Sequence, residues 1–457
     1  MTRSAALLAG GGDTIVARAT AEGRAALATI RMTGAQAISI ASALGASGLA
    51  PRVATRRTLT HPVTSERLDD ALVTVFVAPH SFTGEDLVEL STHGGRVVPM
   101  LVVAACVAAG ARPALAGEFT RRAVVNGKMD VLQAEAVADL IDARTVAMQQ
   151  QALTQLDGGL SRRLLALRDD VIHLEAMLAY DIDFPEEDDG PIAPARITTA
   201  GQSLLVSLDA LLATGPRAAL LRDGALVVIA GPPNAGKSSL FNALLGESRA
   251  LVTPQAGTTR DAVDALLDRA PFPLRLIDTA GLRETSDSLE RLGIEVSERN
   301  LARARVVLAC GATAHDVVLA VEAVRKRTIA PVLPVHTKSD LLNALDARNP
   351  AWNYASAETG DGLTTLLQRV DETVTDTTDP APMTDDVVVT RARHQHGLRE
   401  AHAELRRFVH GWSSGELPAP VAAVHLQSAR DALSDLVGTI STEEVLDRVF
   451  ADFCIGK

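Results

Sequence analysis

The hydrophobic rhythm of the chain changes along its length. From residue 13 to about 125, short stretches alternate apolar and polar side chains, as in "TIVARAT", "AALATIRM" and "DALVTVFVAP". A period of two predicts strands with one face turned to a core. From about 130 to 222, apolar residues recur every three or four positions, as in "LQAEAVADLIDARTVAMQQQALTQL" and "LLALRDDVIHLEAMLAY", which predicts helices. The acidic run "DFPEEDDGP" (183–191) reads as a loop, with another helix after it. Between 224 and about 375, short apolar runs alternate with helical stretches, the βαβ pattern of a parallel sheet. After Asp385 the helical period returns, from "VVVTRARHQHGLREAHAELRRFV" to "SARDALSDLVGTISTEEVLDRVF".

This order predicts an α/β multidomain chain. An N-terminal α/β domain spans 13–128, and a helical domain 129–222 and 381–457 is interrupted by an inserted α/β domain at 223–380. Flanking helices of an insertion belong to one body when the termini of the inserted domain lie close together.

Composition narrows the picture. Of 457 residues, 47% are hydrophobic and 22% charged, enough to bury a sizeable core. The net charge of −12 excludes simple coating of nucleic acid, though not recruitment of RNA by a local patch. Cys106, Cys310 and Cys454 are too scattered for a disulfide framework or a zinc site, which fits a reducing cytoplasm. No stretch reads as a membrane-spanning helix of about 20 apolar residues. "LVVAACVAAG" (101–110) is short and predicts a buried helix. The opening "MTRSAALLAGGGDT" is short for a signal peptide and reads as a frayed extension.

Four motifs carry chemistry. "LVVIAGPPNAGKSSLFNALLG" places a strand, then a loop bracketed by Gly231 and Gly236, then a helix from Lys237. The loop fits G-x-x-x-x-G-K-[ST], whose glycines let several backbone N–H groups, Ala235 and Gly236 among them, face phosphates. The helix N-terminus adds positive potential, Lys237 reaches the β- and γ-phosphates, Ser238 holds Mg²⁺, and Ser239 follows in the same turn. "DTAG" places Asp278 in the Mg²⁺ shell, with Thr279, Ala280 and Gly281 beside the γ-phosphate. In "GTTRD", Thr259 completes the Mg²⁺ ligation. In "HTKSD", Asp340 accepts two hydrogen bonds from the guanine edge, Lys338 lies over the base and Thr337 supports the loop. "ASAETG" brings Ser356 and Ala357 to the base, where a backbone N–H meets guanine O6. A carboxylate that needs two donors rejects adenine, so the set specifies GTP. A chance glycine-rich turn would not be followed by three companions in order.

Two positions qualify the mechanism. Leu282 follows "DTAG" where many small GTPases carry a water-orienting Gln. Glu284, Asp287 and Glu290 follow, and by themselves read as a solvated helix face. Asn234 in the phosphate loop is either an ordinary loop residue or a cation ligand beside the phosphates.

The strings "DTIVARAT", "FTGEDLVELSTHGG", "AGEFTRRAVVNGKMDVLQAEAVADLIDA", "GPPNAGKSSLFNALLGE", "VTPQAGTTRD", "DTAGLRETSDSLERLGIE" and "FCIGK" together resemble the MnmE (TrmE) family of tRNA uridine-modification GTPases, over nearly the whole length. The resemblance implies a folate-binding, dimerising N-terminal domain, a helical domain and an inserted Ras-like P-loop G domain. It implies a cytoplasmic homodimer without membrane attachment. With a flavin (FAD)-containing partner, MnmG (GidA), such proteins modify C5 of the wobble uridine (position 34) of certain tRNAs to carboxymethylaminomethyluridine. A tetrahydrofolate derivative, 5-formyl or methylene, supplies the one-carbon unit. K⁺ drives G-domain pairing and GTP hydrolysis. By matched position, the resemblance makes Asn234, Thr253, Gln255 and Thr258 the K⁺ ligands and Glu290 the catalytic glutamate. It places folate contacts at Arg31, Glu89, Lys128 and Lys457, and chemistry agrees. A pterin edge needs a carboxylate such as Glu89, and a glutamate tail needs cations such as Arg31 and Lys128. A regulatory, RNA-associated GTPase without modification chemistry is the alternative. It would be expected to carry a basic domain.

The chain departs from the family pattern in places. Thr337 stands where Asn is usual, "VVLACGATA" lacks the usual acidic residue with a shortened region after it, and the first 12 residues have no counterpart. In "FCIGK", Cys454 stands fourth from the end as in a prenylation box, but terminal Lys is not a usual last residue of one. The amphipathic "STEEVLDRVFADF" before it argues for a presented tail rather than a frayed one. The resemblance puts that tail at the folate pocket. Cys454 is then either a nucleophile for the one-carbon chemistry or a packing residue.

Overall fold

The structure is a computed structural model. It describes residues 12–183, 192–247, 264–269, 271–278, 299–342, 348–377 and 388–438, together with Gly456. By its contacts the chain forms two compact units, residues 1–138 with 433–457, and residues 139–432.

The first unit is built on a six-stranded sheet. In chain order its strands are β1 (Ile15–Arg18), β2 (Leu27–Thr33), β3 (Thr55–Thr60), β4 (Arg67–Phe76), β5 (Leu87–His93) and β6 (Arg112–Pro113). They lie in the order β3-β4-β5-β2-β1-β6, antiparallel except for β6 beside β1. The period of two seen in the sequence sets the faces. Ala28, Ile30 and Met32 of β2 turn inward with Val88 and Leu90 of β5. Against this face pack α1 (Ala37–Ala43) and α2 (Val97–Ala108), through Ile40, Val102, Ala105 and Cys106. The alternate residues, Arg31 and Glu89 among them, therefore stand on the opposite face. There a smaller cluster of Ile15, Ala17, Ala114 and Phe119 gathers at the β1 side, with Phe82 packed on it. Phe119 comes from α3 (Glu118–Val125), which α4 (Val131–Asp142) follows.

Helix α2 corrects one expectation. Only one of its faces is buried, while Val97 and Met100 are 58% and 61% exposed. A uniformly apolar run cannot tell which side a sheet will cover.

The second unit holds both helical segments and the α/β segment between them. Its leading helices are α5 (Val146–Leu156), α6 (Gly159–Asp183), α7 (Pro194–Ala213) and α8 (Gly215–Asp223). Thr145 starts α5 by accepting the Met148 N–H at 3.2 Å, which breaks what the sequence presented as one helical stretch. Then come β7 (Ala225–Ala230), α9 (Lys237–Glu247), β8 (Asp264–Leu267), β9 (Leu274–Asp278), β10 (Val306–Gly311), α10 (Ala314–Arg325), β11 (Val332–His336), β12 (Asn353–Tyr354) and α11 (Leu363–Asp376). Helices α12 (Ala392–Ser414) and α13 (Ala419–Val437) follow. The sheet order is β12-β11-β10-β7-β9-β8, parallel except for β8. Helices α9 and α11 cover one face through Phe241, Leu244, Leu366 and Val370. Val324 of α10 packs with Val228 and Val307 on the other. The connections leave β7 toward β9 on one side and β10 on the other. Its C-terminal end is thus a topological switch point, where ligands bind in such sheets.

The helical segments on either side of this sheet meet. Gly201 of α7 lets α12 approach so closely that a Cβ there would stand 2.7 Å from Val409 Cγ2. Trp412 Nε1 donates to Pro194 O at 3.4 Å. The two crossings into the α/β segment are tied side by side. Arg222 Nη1 donates to Thr390 O at 2.7 Å, and Val389 N to Thr214 Oγ1 at 3.0 Å. One more expectation needs correction. Residues Pro194–Asp223, with mean hydropathy 1.5, are long and apolar enough by composition to cross a membrane. They form two helices, α7 and α8, and the apolar side of α7 (Leu204, Leu208, Leu211) is buried.

Candidate active site: the nucleotide pocket

The phosphate loop leaves β7 at the switch point. Gly231 has φ 154°, and a Cβ there would lie 2.2 Å from Cys310 O, so only glycine lets the loop pass the end of β10. Asn234 takes the left-handed conformation with φ 61° and Gly236 with φ 75°. Helix α9 begins at Lys237, whose Nζ donates to Pro232 O at 2.8 Å and is held over its own loop. Next to it, Ser238 Oγ donates to Asp278 Oδ2 at 2.6 Å. The N-terminus of α9 and the end of β9 thereby bring together a hydroxyl and a carboxylate, the oxygen donors that a hard divalent cation takes.

The base side is assembled from β11 and the turn after β12. Thr337 is 3% exposed and its Oγ1 lies 2.6 Å from Ala235 O and 3.1 Å from Gly311 O. One side chain thus ties the guanine motif to the phosphate loop. Lys338 follows in the left-handed conformation, φ 53°. Asp340 Oδ1 accepts from Ser356 Oγ at 2.6 Å, which fixes the carboxylate. His336, immediately before, stacks on Tyr354 with centroids 5.5 Å apart. These residues enclose a cavity of about 330 Å³, lined by Gly236, Ser239, Thr337, Lys338, Asp340 and Ala357, among others. Glu358 also lines it and was not singled out in the sequence. It lies within "ASAETG", where only a backbone contact was expected. Beneath the loop, burial pushes the Cys310 thiol up to about 12, so it stays protonated.

The structure thus joins Asn234, Ala235, Gly236, Lys237, Ser238, Ser239, Asp278, Thr337, Lys338, Asp340, Ser356 and Ala357 around one end of the sheet. Thr253, Gln255, Thr258, Thr259, Thr279, Ala280, Gly281, Glu290, Cys454 and Lys457 lie outside the described residues. So do Leu282, Glu284 and Asp287. Among the described residues no cluster of three or more His, Cys, Asp or Glu is placed to hold a metal ion.

In the first unit, Arg31 and Glu89 stand opposite each other on β2 and β5 and form an ion pair at 2.8 Å. Arg31 therefore does not present an unpaired charge, as a glutamate-tail ligand would. Lys128 Nζ donates to Pro79 O at 3.1 Å. Nearby, Arg112 and Arg122 bind Asp13 and Glu118, and Arg122 also reaches Glu85. Burial raises the pKa of Asp13 and Glu118, but the two guanidiniums outweigh it and hold both carboxyls below their ordinary values. The sequence gave no sign of this network, because Asp13 stands 99 and 109 positions from its partners. Of the tail, Gly456 is buried, and a Cβ there would lie 2.4 Å from Arg18 O. The tail is seated on the end of β1 rather than frayed at that residue.

Comparisons with known proteins agree with this layout. A family model described as the MnmE helical domain matches residues 131–454. One described as the GTP-binding protein TrmE N-terminus matches residues 14–128. The tRNA modification GTPase MnmE of Moorella thermoacetica is 39% identical over 97% of this chain and 99% of its own. That of Azoarcus sp. (strain BH72) is 41% identical over 97% and 98%. Among solved structures, the G domain of the T. maritima FeoB iron transporter covers 33% of this chain and 97% of its own. Its 22% identity and TM-score of 0.24 are too slight to bear on function.

Proposed function

The chain belongs to the MnmE (TrmE) family, and from that premise we propose that it is a GTPase of tRNA wobble-uridine modification. It works as a homodimer with a flavin-bearing partner, MnmG, and a tetrahydrofolate one-carbon donor. The observation that carries the GTPase half is the cavity where phosphate loop and guanine motif meet, tied by Thr337. Asp340, fixed by Ser356, is the acceptor for the guanine edge, and Lys338 covers the base. The N–H groups of the phosphate loop and Lys237 hold the phosphates, and Ser238 with Asp278 orients the divalent ion. Mg²⁺, when bound, neutralises charge on the phosphates. Thr259 completes its ligation. Asn234, with Thr253, Gln255 and Thr258, holds K⁺, and Glu290 takes the water-orienting place that Leu282 cannot fill. Folate is held at Arg31, Glu89, Lys128 and Lys457, with Cys454 close to the one-carbon unit. The protein is cytoplasmic.

Nucleoside analysis of tRNA from a deletion strain tests the modification half. Loss of carboxymethylaminomethyluridine is expected at position 34. Unchanged wobble uridines together with intact GTPase would leave the regulatory alternative standing. Turnover is expected to be faster in K⁺ than in Na⁺, and equal rates would remove the K⁺ assignment.

A further inference from the structure

On the outer face of the N-terminal sheet, Nε and Nη2 of Arg31 both donate to Oε1 of Glu89, at 3.0 and 2.8 Å. The pair is largely shielded, with side chains 18% and 28% exposed. A carboxylate approaching Arg31 meets the charge of Glu89 as well, and the two effects oppose each other. The guanidinium also lies over the Phe82 ring, 5.5 Å from its centroid. Phe82 is held in turn by packing on Ile15, Ala17 and Phe119. Arg31 is thereby clamped at its edge by a carboxylate and on one face by an aromatic ring. A guanidinium so fixed offers its other face to a planar ring, because Arg stacks as well as pairs. Glu89 Oε2 takes no part in the pair and remains an acceptor.

Lys128 is different. Its amine meets a neutral carbonyl, Pro79 O, and its stem runs along Gly84. Its charge is not cancelled by that contact. Pro79, Phe82 and Gly84 belong to one loop, so a single loop supports both a stacking surface and a cation.

Resting on the folate reading above, we propose a polarity for this site. The heteroaromatic ring of the ligand stacks on Arg31 with an N–H edge toward Glu89 Oε2, and its carboxylate end meets Lys128. Phe82 is a positioning residue that acts through Arg31. The division of labour differs from one in which Arg31 and Lys128 share the carboxylates.

Calorimetric titration of the full chain with three probes tests the polarity. They are 5-formyltetrahydrofolate, the tail-less 6-methyltetrahydropterin and the ring-less p-aminobenzoylglutamate. Phe82→Leu and Arg31→Lys are each expected to weaken the two pterin-bearing probes at least tenfold and to leave the third unchanged. Phe82→Trp, which restores a platform, is expected to retain them. Lys128→Met is expected to weaken the two carboxylate-bearing probes and spare the tail-less pterin. Should Phe82→Leu fail to fold, Arg31→Lys decides. The polarity is overturned if Arg31→Lys spares the tail-less pterin, or if Lys128→Met weakens it as much as the full folate. A wild-type chain that binds none of the three sinks the folate reading itself, whatever the variants do.

Discussion

Thr337→Val offers the sharpest test of how the nucleotide pocket is held. Valine keeps the branched shape of threonine and removes the hydroxyl. In the wild type that hydroxyl, 3% exposed as a residue, bridges Ala235 O and Gly311 O. Gly311 O would keep the Thr337 N–H at 2.9 Å, so the loss falls on Ala235 O in the phosphate loop. Removing one partner of a buried hydrogen bond costs about 1–2 kcal/mol. If the nucleotide must re-order the released loops, that becomes a factor of about 5–30 in affinity. Titration of a fluorescent GDP analogue reads the effect, with thermal unfolding measured alongside. Affinity within twofold of wild type in a folded variant would refute the argument that Thr337 couples the loops. The same reasoning predicts the opposite sign for Thr337→Asn. A carboxamide has two N–H donors where the hydroxyl has one, so each carbonyl can receive its own. That variant is expected to bind GDP at least as tightly as wild type.

Three other outcomes are expected. Gly231→Ala places a methyl 2.2 Å from Cys310 O and should abolish GDP binding, since the loop must leave β10; retained binding would mean that the backbone yields cheaply. Glu290→Ala should retain GTP binding and lose hydrolysis, and wild-type turnover would remove Glu290 from its assigned role. Asp13 and Glu118 have pKa values below their ordinary 3.8 and 4.5 in the folded chain. Their contribution is therefore complete above about pH 4.5 and is lost as pH falls further, through the depressed values. Calorimetry should show the N-terminal unit losing thermal stability below that pH, and less steeply in Glu118→Gln; identical slopes would detach the effect from Glu118.

The nucleotide site was legible because its chemistry is local. Glycines at 231 and 236, Lys237 and Ser238 lie within eight residues of sequence, and the strand and helix around them follow from apolar periodicity. The N-terminal strands were legible for the same reason. What depends on register was not. That Arg31 stands against Glu89 is fixed by the pairing of β2 with β5, 58 positions apart, and so its neutralisation could not be read from residue types. Nor could the exposure of Val97 and Met100, which depends on where the sheet lies relative to α2.

The tied crossings between the helical and α/β segments have a consequence for cutting and rejoining the chain. An arginine side chain spans the gap between Arg222 and Thr390. Two or three residues of extended backbone, at about 3.3–3.6 Å each, cover a comparable distance. Removing residues 225–388 and closing the gap with a short glycine-containing turn should therefore leave α7 and α12 free to pack as they do now. The shortened chain would be a modification protein without its nucleotide clock. A cooperative thermal transition in it would show that the helical body holds its shape whether or not the G domain is there.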